Sequence, residues 1–163
     1  MLPQEFDALG ELTVQSYQAL MDEPLGDYAQ ELRDVAGRAT DSVVLVAVGD
    51  GSEVLGGVTF VPGSGRTMSE FDDADAAGIR MLAVHPSYQG NGVGRALVEA
   101  CIARARAAGR ARLVLHSTKY MHAAQSLYRS LGFERDPTHD VAFTDEPYSR
   151  DEPFVLVAFV LVL

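Results

Sequence analysis

Three glycines at alternate positions, Gly90, Gly92 and Gly94, stand where an apolar run gives way to a helical pattern: Leu82-Ala83-Val84-His85-Pro86-Ser87-Tyr88-Gln89-Gly90-Asn91-Gly92-Val93-Gly94-Arg95. Glycine permits backbone angles closed to other residues and lets a ligand approach the main chain. A helix start offers unpaired N–H groups and the positive end of a dipole. Together these suit an anion, and a pyrophosphate best. Three kinds of phosphate loop compete for the pattern. A Walker loop needs Lys and a hydroxyl after its last glycine, where this chain has Arg95-Ala96. A dinucleotide fingerprint needs a third glycine where Arg95 stands, and an acid about 20 residues on that is absent here. The third form, Q/R-x-x-G-x-G/A after a strand that ends in a β-bulge, is matched in full by Gln89-Gly90-Asn91-Gly92-Val93-Gly94. A glycine-rich turn without a ligand is the plain alternative.

The elements that would position this loop can be read from periodicity. The spacing predicts helices over 7–21, with Asp7 as N-cap, and over 27–38. It predicts strands over 42–49 and 54–61, joined at Asp50-Gly51-Ser52, since Asp-Gly is a strong hairpin signal. Residues 62–77 read as a loop and 78–85 as a strand. Val93, Leu97, Ala100, Cys101 and Ala105 mark one face of a helix over 93–108 that Gly109 ends. A strand over 112–117 and a helix over 121–131 follow. The acidic stretch 134–152 carries a short strand at 141–143. The run Phe154–Leu163 is continuously apolar, as in a strand covered on both faces. Hairpins first and helix-connected strands later predict one mixed α+β sheet with helices on its faces. No repeat or low-complexity linker divides residues 1–163, which read as a single domain.

The composition sets outer limits. Thirteen Lys and Arg against 23 Asp and Glu give a net charge of −10 over 163 residues. That balance argues against a surface for nucleic acid or anionic lipid. The single cysteine, Cys101, excludes an internal disulfide framework and a Cys-rich zinc site. The start, Met1 to Asp7, is acidic and lacks an apolar core, and the terminal run is ten residues long where a membrane helix needs about 20. A cytoplasmic enzyme with no membrane partner is the expectation.

The segment MLAVHPSYQGNGVGRALVEA resembles the acetyl-CoA motif of the GNAT superfamily of N-acetyltransferases. Downstream, Ala123-Ala124-Gln125-Ser126-Leu127-Tyr128-Arg129-Ser130-Leu131-Gly132-Phe133 is similar to the family's A-x-x-L-Y-x-x-x-G-F segment. The resemblance implies an α+β (α/β three-layer) fold, with a splayed parallel strand pair in a mixed central sheet and helices on both faces. It implies acetyl-CoA as cosubstrate, its pantetheine arm paired with main-chain groups of Leu82, Ala83 and Val84. Its pyrophosphate would lie on N–H groups of Gln89, Gly90, Asn91, Gly92, Val93, Gly94 and Arg95. Ser117 or His116 would line the gap. Tyr128 takes the place of the general acid that protonates the departing thiolate; read alone, it is a core aromatic beside Leu127 and Leu131. The acceptor would be a primary amine of a small molecule or peptide.

The base stays open. The family's Glu at the start of the splayed strand has no counterpart in Gly78-Ile79-Arg80-Met81. Glu70, Asp72, Asp73 and Asp75 upstream, His85, His116 and a water chain are the alternatives. The missing acid motivates a second reading, an acyl-CoA-binding sensor or interaction domain without turnover. A strand precedes the first helix in the family, and here the chain starts almost in helix. The acidic stretch 134–152 corresponds to a region that builds the acceptor pocket or a dimer contact, so an amine and a second copy of the chain are the expected partners. Cys101 reads as a buried packing thiol.

Overall fold

The computed structural model describes residues 3–143 and 154–163. Helices α1 (Pro3–Gln18), α2 (Tyr28–Arg33) and α3 (Val35–Arg38) precede a hairpin of β1 (Val43–Val48) and β2 (Val54–Val61). Then come β3 (Ala76–Val84), α4 (Val93–Ala107), β4 (Arg112–Ser117), α5 (His122–Ser130), β5 (Glu134–Arg135), β6 (Val141–Phe143) and β7 (Phe154–Val162). The sheet order is β1-β2-β3-β4-β7-β5. β5 and β6 share the outer edge of β7, β5 at Phe159 and Val160 and β6 at Phe154 to Leu156. Every described pairing is antiparallel except β3 with β4.

The two faces of the sheet carry separate cores. Val58, Phe60, Ala77, Ile79, Leu113 and Leu115 pack against Leu97, Val98, Cys101, Ile102 and Ala105 of α4 and Tyr128 of α5. The alternate residues Val61, Ala76 and Val114 face the other way, onto Leu32 with Val14, Tyr17 and Tyr28. Leu9, Leu12 and Val35 continue that second layer. Period-two alternation thus feeds both layers, giving the α+β three-layer arrangement.

Several expected boundaries move. Helix α1 starts at Pro3, whose fixed φ suits a first helical position, so Asp7 lies inside it and caps nothing. The expected helix over 27–38 is two helices, because the Asp34 carboxylate accepts from Gly37 N at 2.8 Å and restarts the chain there. β3 begins two residues earlier than expected, and the two-residue β5 carries no periodic signal. β7 is not covered throughout: Val155 and Val162 are exposed. Of the acidic stretch, 144–152 lies outside the described residues. No described helix is long and apolar enough to cross a membrane.

Candidate active site

β3 and β4 pair in parallel only from Ala76 with Arg112 to Ile79 with Leu115. β4 then continues alongside β7, His116 opposite Ala158 and Ser117 opposite Val157, while Arg80 to Val84 have no partner on β4. The strands therefore part at Arg80 and His116. The cause lies on the other side of β3. Gly57 pairs with Ala83 and Thr59 with Arg80, so Met81 and Leu82 together oppose Val58. That is a β-bulge, which bends its strand and sharpens the local twist. Met81 adopts φ +52, a left-handed angle that a long side chain seldom takes and that marks local strain. Leu82, Ala83 and Val84 follow the bulge and form the free edge of the gap.

The chain leaves the gap through a 3-10 turn at Pro86–Tyr88, where His85 Nδ1 accepts from Ser87 N at 3.2 Å. Gly90 at φ +79 and Gly92 at φ +86 require the left-handed region, and Gly92 is the N-cap of α4 with no side chain to satisfy the helix start. The N–H groups of Gln89 and Asn91 reach carbonyls of Pro86 and Tyr88 at 3.4 Å. Among the described residues, no acceptor engages those of Gly90, Gly92, Val93, Gly94 or Arg95. Five free donors around a helix start make an anion cradle. The Gln89 side chain turns inward to Val84 O at 3.3 Å. The Arg95 guanidinium bonds Ser130 Oγ at 2.8 Å and lies 3.6 Å from Glu99, bracing α4 against α5 rather than reaching into the loop.

On α5, Tyr128 is 6% exposed and packs between Phe133 and Phe159. Burial, with a small push from Cys101, raises its pKa far above the ordinary 10.0, so the hydroxyl keeps its proton. That hydroxyl makes no hydrogen bond among the described residues. Ser117, also buried, reaches Thr118 O at 3.5 Å. Cys101 is fully buried beneath them, and burial lifts its thiol to about 12, which suits packing and not nucleophilic chemistry.

On the α1–α2 face, Glu70 lies between the two strands where they part. Its Oε1 accepts from Arg80 Nη2 at 2.9 Å, and its Oε2 lies 3.3 Å from His116 Nδ1. A cleft of about 350 Å³, lined by Gly65, Arg66, Ser69, Phe71 and Asp72, opens onto Glu70. Burial resists charge on Glu70, yet the His116 hydrogen bond with the Arg80 and His116 charges outweighs it and holds the carboxyl below its usual pKa. Burial likewise resists charge on His116, and hydrogen bonds to Glu70 and the His139 carbonyl reverse it, so its pKa is raised. Asp73 is taken by Arg112, with a bond of 2.9 Å from Nη2 and a second, shorter one from Nε. Asp75 lies 3.9 Å from the same guanidinium, and Asp72 is exposed.

A family model described as "Acetyltransferase (GNAT) family" matches residues 6–133. The chain belongs to the GNAT acetyltransferase family. It is an acetyltransferase, and its acetyl donor is acetyl-CoA. No curated protein matches by sequence. Solved structures with the same fold include a GCN5-related N-acetyltransferase from Kribbella flavida, 19% identical over 100% of this chain and 95% of that one, with a TM-score of 0.70. The protein yncA from Salmonella typhimurium, solved with its cofactor acetyl-CoA, is 23% identical over 99% and 90% with a TM-score of 0.69. The ribosomal-protein-S18-alanine N-acetyltransferase from Escherichia coli is 20% identical over 99% and 90% with a TM-score of 0.68.

Set in the GNAT frame, the sequence-derived residues fall on two sides of the gap. Leu82, Ala83 and Val84 form one edge, Ser117 the other, and Gln89 to Arg95 its end. Of the alternatives for the base, the structure gathers Glu70 and His116, occupies Asp73 with Arg112, and uses His85 as a turn cap. Sequence reasoning missed Arg80, whose signal was a lone cation inside the apolar run GIRMLAV. It read Tyr17 and Tyr28 only as inward helix positions. Both stand near Arg80 and Glu70, whose charges act on their hydroxyls.

Proposed function

We propose that the chain moves the acetyl group of acetyl-CoA directly to a primary amine of a small molecule or peptide, within one domain formed by residues 1–163 and with Tyr128 as general acid. The parting of β3 from β4 at Arg80 and His116, ending on the uncapped start of α4, carries this reading. The chain's own groups fit the donor. The edge of β3 at Leu82, Ala83 and Val84 has no strand beside it on the β4 side, and an extended amide-bearing arm pairs with such an edge as another strand would. The free N–H groups of Gly90 and Gly92 to Arg95 suit a pyrophosphate. The bound donor supplies an activated thioester. Ser117 borders the gap. Tyr128, neutral and with no partner for its hydroxyl among the described residues, donates its proton to the sulfur as the C–S bond breaks. The amine nitrogen forms the new C–N bond and gives up a proton to a base or water. Holding both reactants in one cleft contributes much of the acceleration.

Release of CoA thiol, followed with mass spectrometry for the gain of one acetyl group, tests this over a panel of amines, amino acids and peptides. Tyr128→Phe keeps the packed ring and removes only the proton donor. We expect turnover to fall by about 100-fold or more with little change in acetyl-CoA affinity. Unchanged turnover in that variant would remove Tyr128 from the chemistry. Acetyl-CoA binding with no release for any acceptor would favour the sensor reading.

A further inference from the structure

The charged network at the mouth of the gap has one group left with little to bind. His116 is 4% exposed at its side chain, with Nδ1 facing Glu70 and Nε2 lying 2.8 Å from the His139 carbonyl. Both ring nitrogens face acceptors, and a neutral imidazole has one N–H, so the arrangement calls for the imidazolium. Glu70 is therefore shared between two cations, His116 and Arg80. Glu31 reaches Arg80 Nη2 only at 3.9 Å and is half exposed. The remaining nitrogen, Arg80 Nη1, has only the Met68 thioether sulfur at 3.9 Å among the described residues. A thioether is a weak acceptor, whereas a guanidinium carries five donors in a fixed fork that matches a carboxylate. Arg80 is 18% exposed at its side chain, partly desolvated yet still open to solvent.

Resting on the reading that the gap holds the acetyl donor, we infer that Arg80 is a specificity residue and that the acceptor is an α-amino acid, its carboxylate on Arg80 Nη1 and its amine directed towards the gap. The charge balance favours this class. Arg80, His116 and Glu70 together carry one excess positive charge, which a half-exposed Glu31 only partly offsets. A zwitterion brings a carboxylate to it, while a diamine or polyamine brings more positive charge. Of the nearby acids in the 136–140 segment, Asp140 is paired with Arg135, and Asp136 accepts from the Thr138 hydroxyl within its own turn.

The test compares free α-amino acids with their primary amides, which differ only in the carboxylate, and adds spermidine and short peptides to the panel. Wild-type protein is expected to favour the acid over its amide by roughly 10- to 100-fold in kcat/KM, expressed mainly in the acceptor KM. Arg80→Gln should erase that preference while the KM for acetyl-CoA stays within about twofold, and Arg80→Lys should restore part of it. Equal or better acetylation of amides, peptides or spermidine by the wild type overturns this inference and leaves acetyl transfer standing. So does an Arg80→Gln enzyme that keeps the acid preference. Acetylation of no acceptor overturns both readings.

Discussion

Gly92 and Gly94 stand two residues apart in one motif, and the structure asks different things of them. Gly92 holds φ +86 at the helix start, where an added Cβ would meet no atom but the backbone angle itself opposes it. Gly94 is inside α4 at an ordinary angle, and a Cβ there would touch Leu127 Cδ2 at 3.4 Å and Val84 Cγ2 at 3.5 Å, which is normal contact. Gly92→Ala should therefore cost about 1–2 kcal/mol and raise the KM for acetyl-CoA, because the strain is relieved by turning the N–H groups of the cradle. Gly94→Ala should be neutral, or stabilising by up to about 1 kcal/mol through helix propensity. Urea unfolding and acetyl-CoA titration of both variants check this, and a Gly94→Ala protein more damaged than Gly92→Ala would contradict it. The same contrast explains what could be read from sequence at this scale. Glycine spacing reports backbone geometry, which is local. The Glu70, Arg80, His116 and His139 cluster draws residues from far apart in the chain, and no spacing rule brings them together.

Among the elements, the close approach of β2 to the bulged part of β3 decides where the free strand edge lies. A Cβ on Gly56 would fall 2.6 Å from Ala83 O and 3.3 Å from Val84 Cα, both backbone atoms that cannot yield without moving the edge of the gap. A Cβ on Gly57 would instead meet the Leu9 methyls at 2.5 and 2.6 Å, on the α1 face and away from the gap. Both substitutions to Ala should destabilise by about 1–3 kcal/mol through overpacking. Only Gly56→Ala should also raise the KM for acetyl-CoA several-fold, so thermal melts paired with steady-state kinetics separate the two. An equal KM change in both variants would break the link between the bulge and the donor site. Sequence pattern located β2, β4 and β6 at their observed ends because apolar alternation and turn residues agree there. It failed where one side chain overrules periodicity, as Asp34 does by capping Gly37 in the middle of an otherwise helical stretch. It also failed at β5, whose Glu134 and Arg135 are recruited only by the edge of β7. The bulge was expected only because the motif implied it; Met81 and Leu82 are ordinary strand residues whose doubling opposite Val58 depends on register.

At the scale of the whole molecule, the net charge of −10 does not describe the site, where two cations, Arg80 and His116, share the carboxylate of Glu70. His116 joins three separate parts of the chain: β4, the loop bearing Glu70, and the segment whose His139 carbonyl it meets. The charged groups around it are Glu70 from the loop and Arg80 from β3. Asp140 acts from the 136–140 segment, and Tyr17, Tyr28 and Glu31 stand beyond Arg80 on α1 and α2. Folding raises the His116 pKa above its usual 6.5, so the folded state binds a proton more tightly than the unfolded chain. The resulting stability is full below 6.5 and is lost as pH rises through the folded value. Folding lowers the Glu70 pKa below 4.5, so its contribution is full above 4.5 and is lost as pH falls through the lower value. The network is thus complete between those two ordinary values and weakens on either side. His116→Gln removes the titration on the basic side and keeps a polar side chain. The melting-temperature difference between wild type and His116→Gln should be largest between about pH 4.5 and 6.5 and shrink steadily towards about pH 9. A difference that stays constant across that range would mean that His116 is neutral in the folded protein. Glu70 would then face one cation instead of two, and the excess positive charge that draws an acceptor carboxylate to Arg80 would be gone.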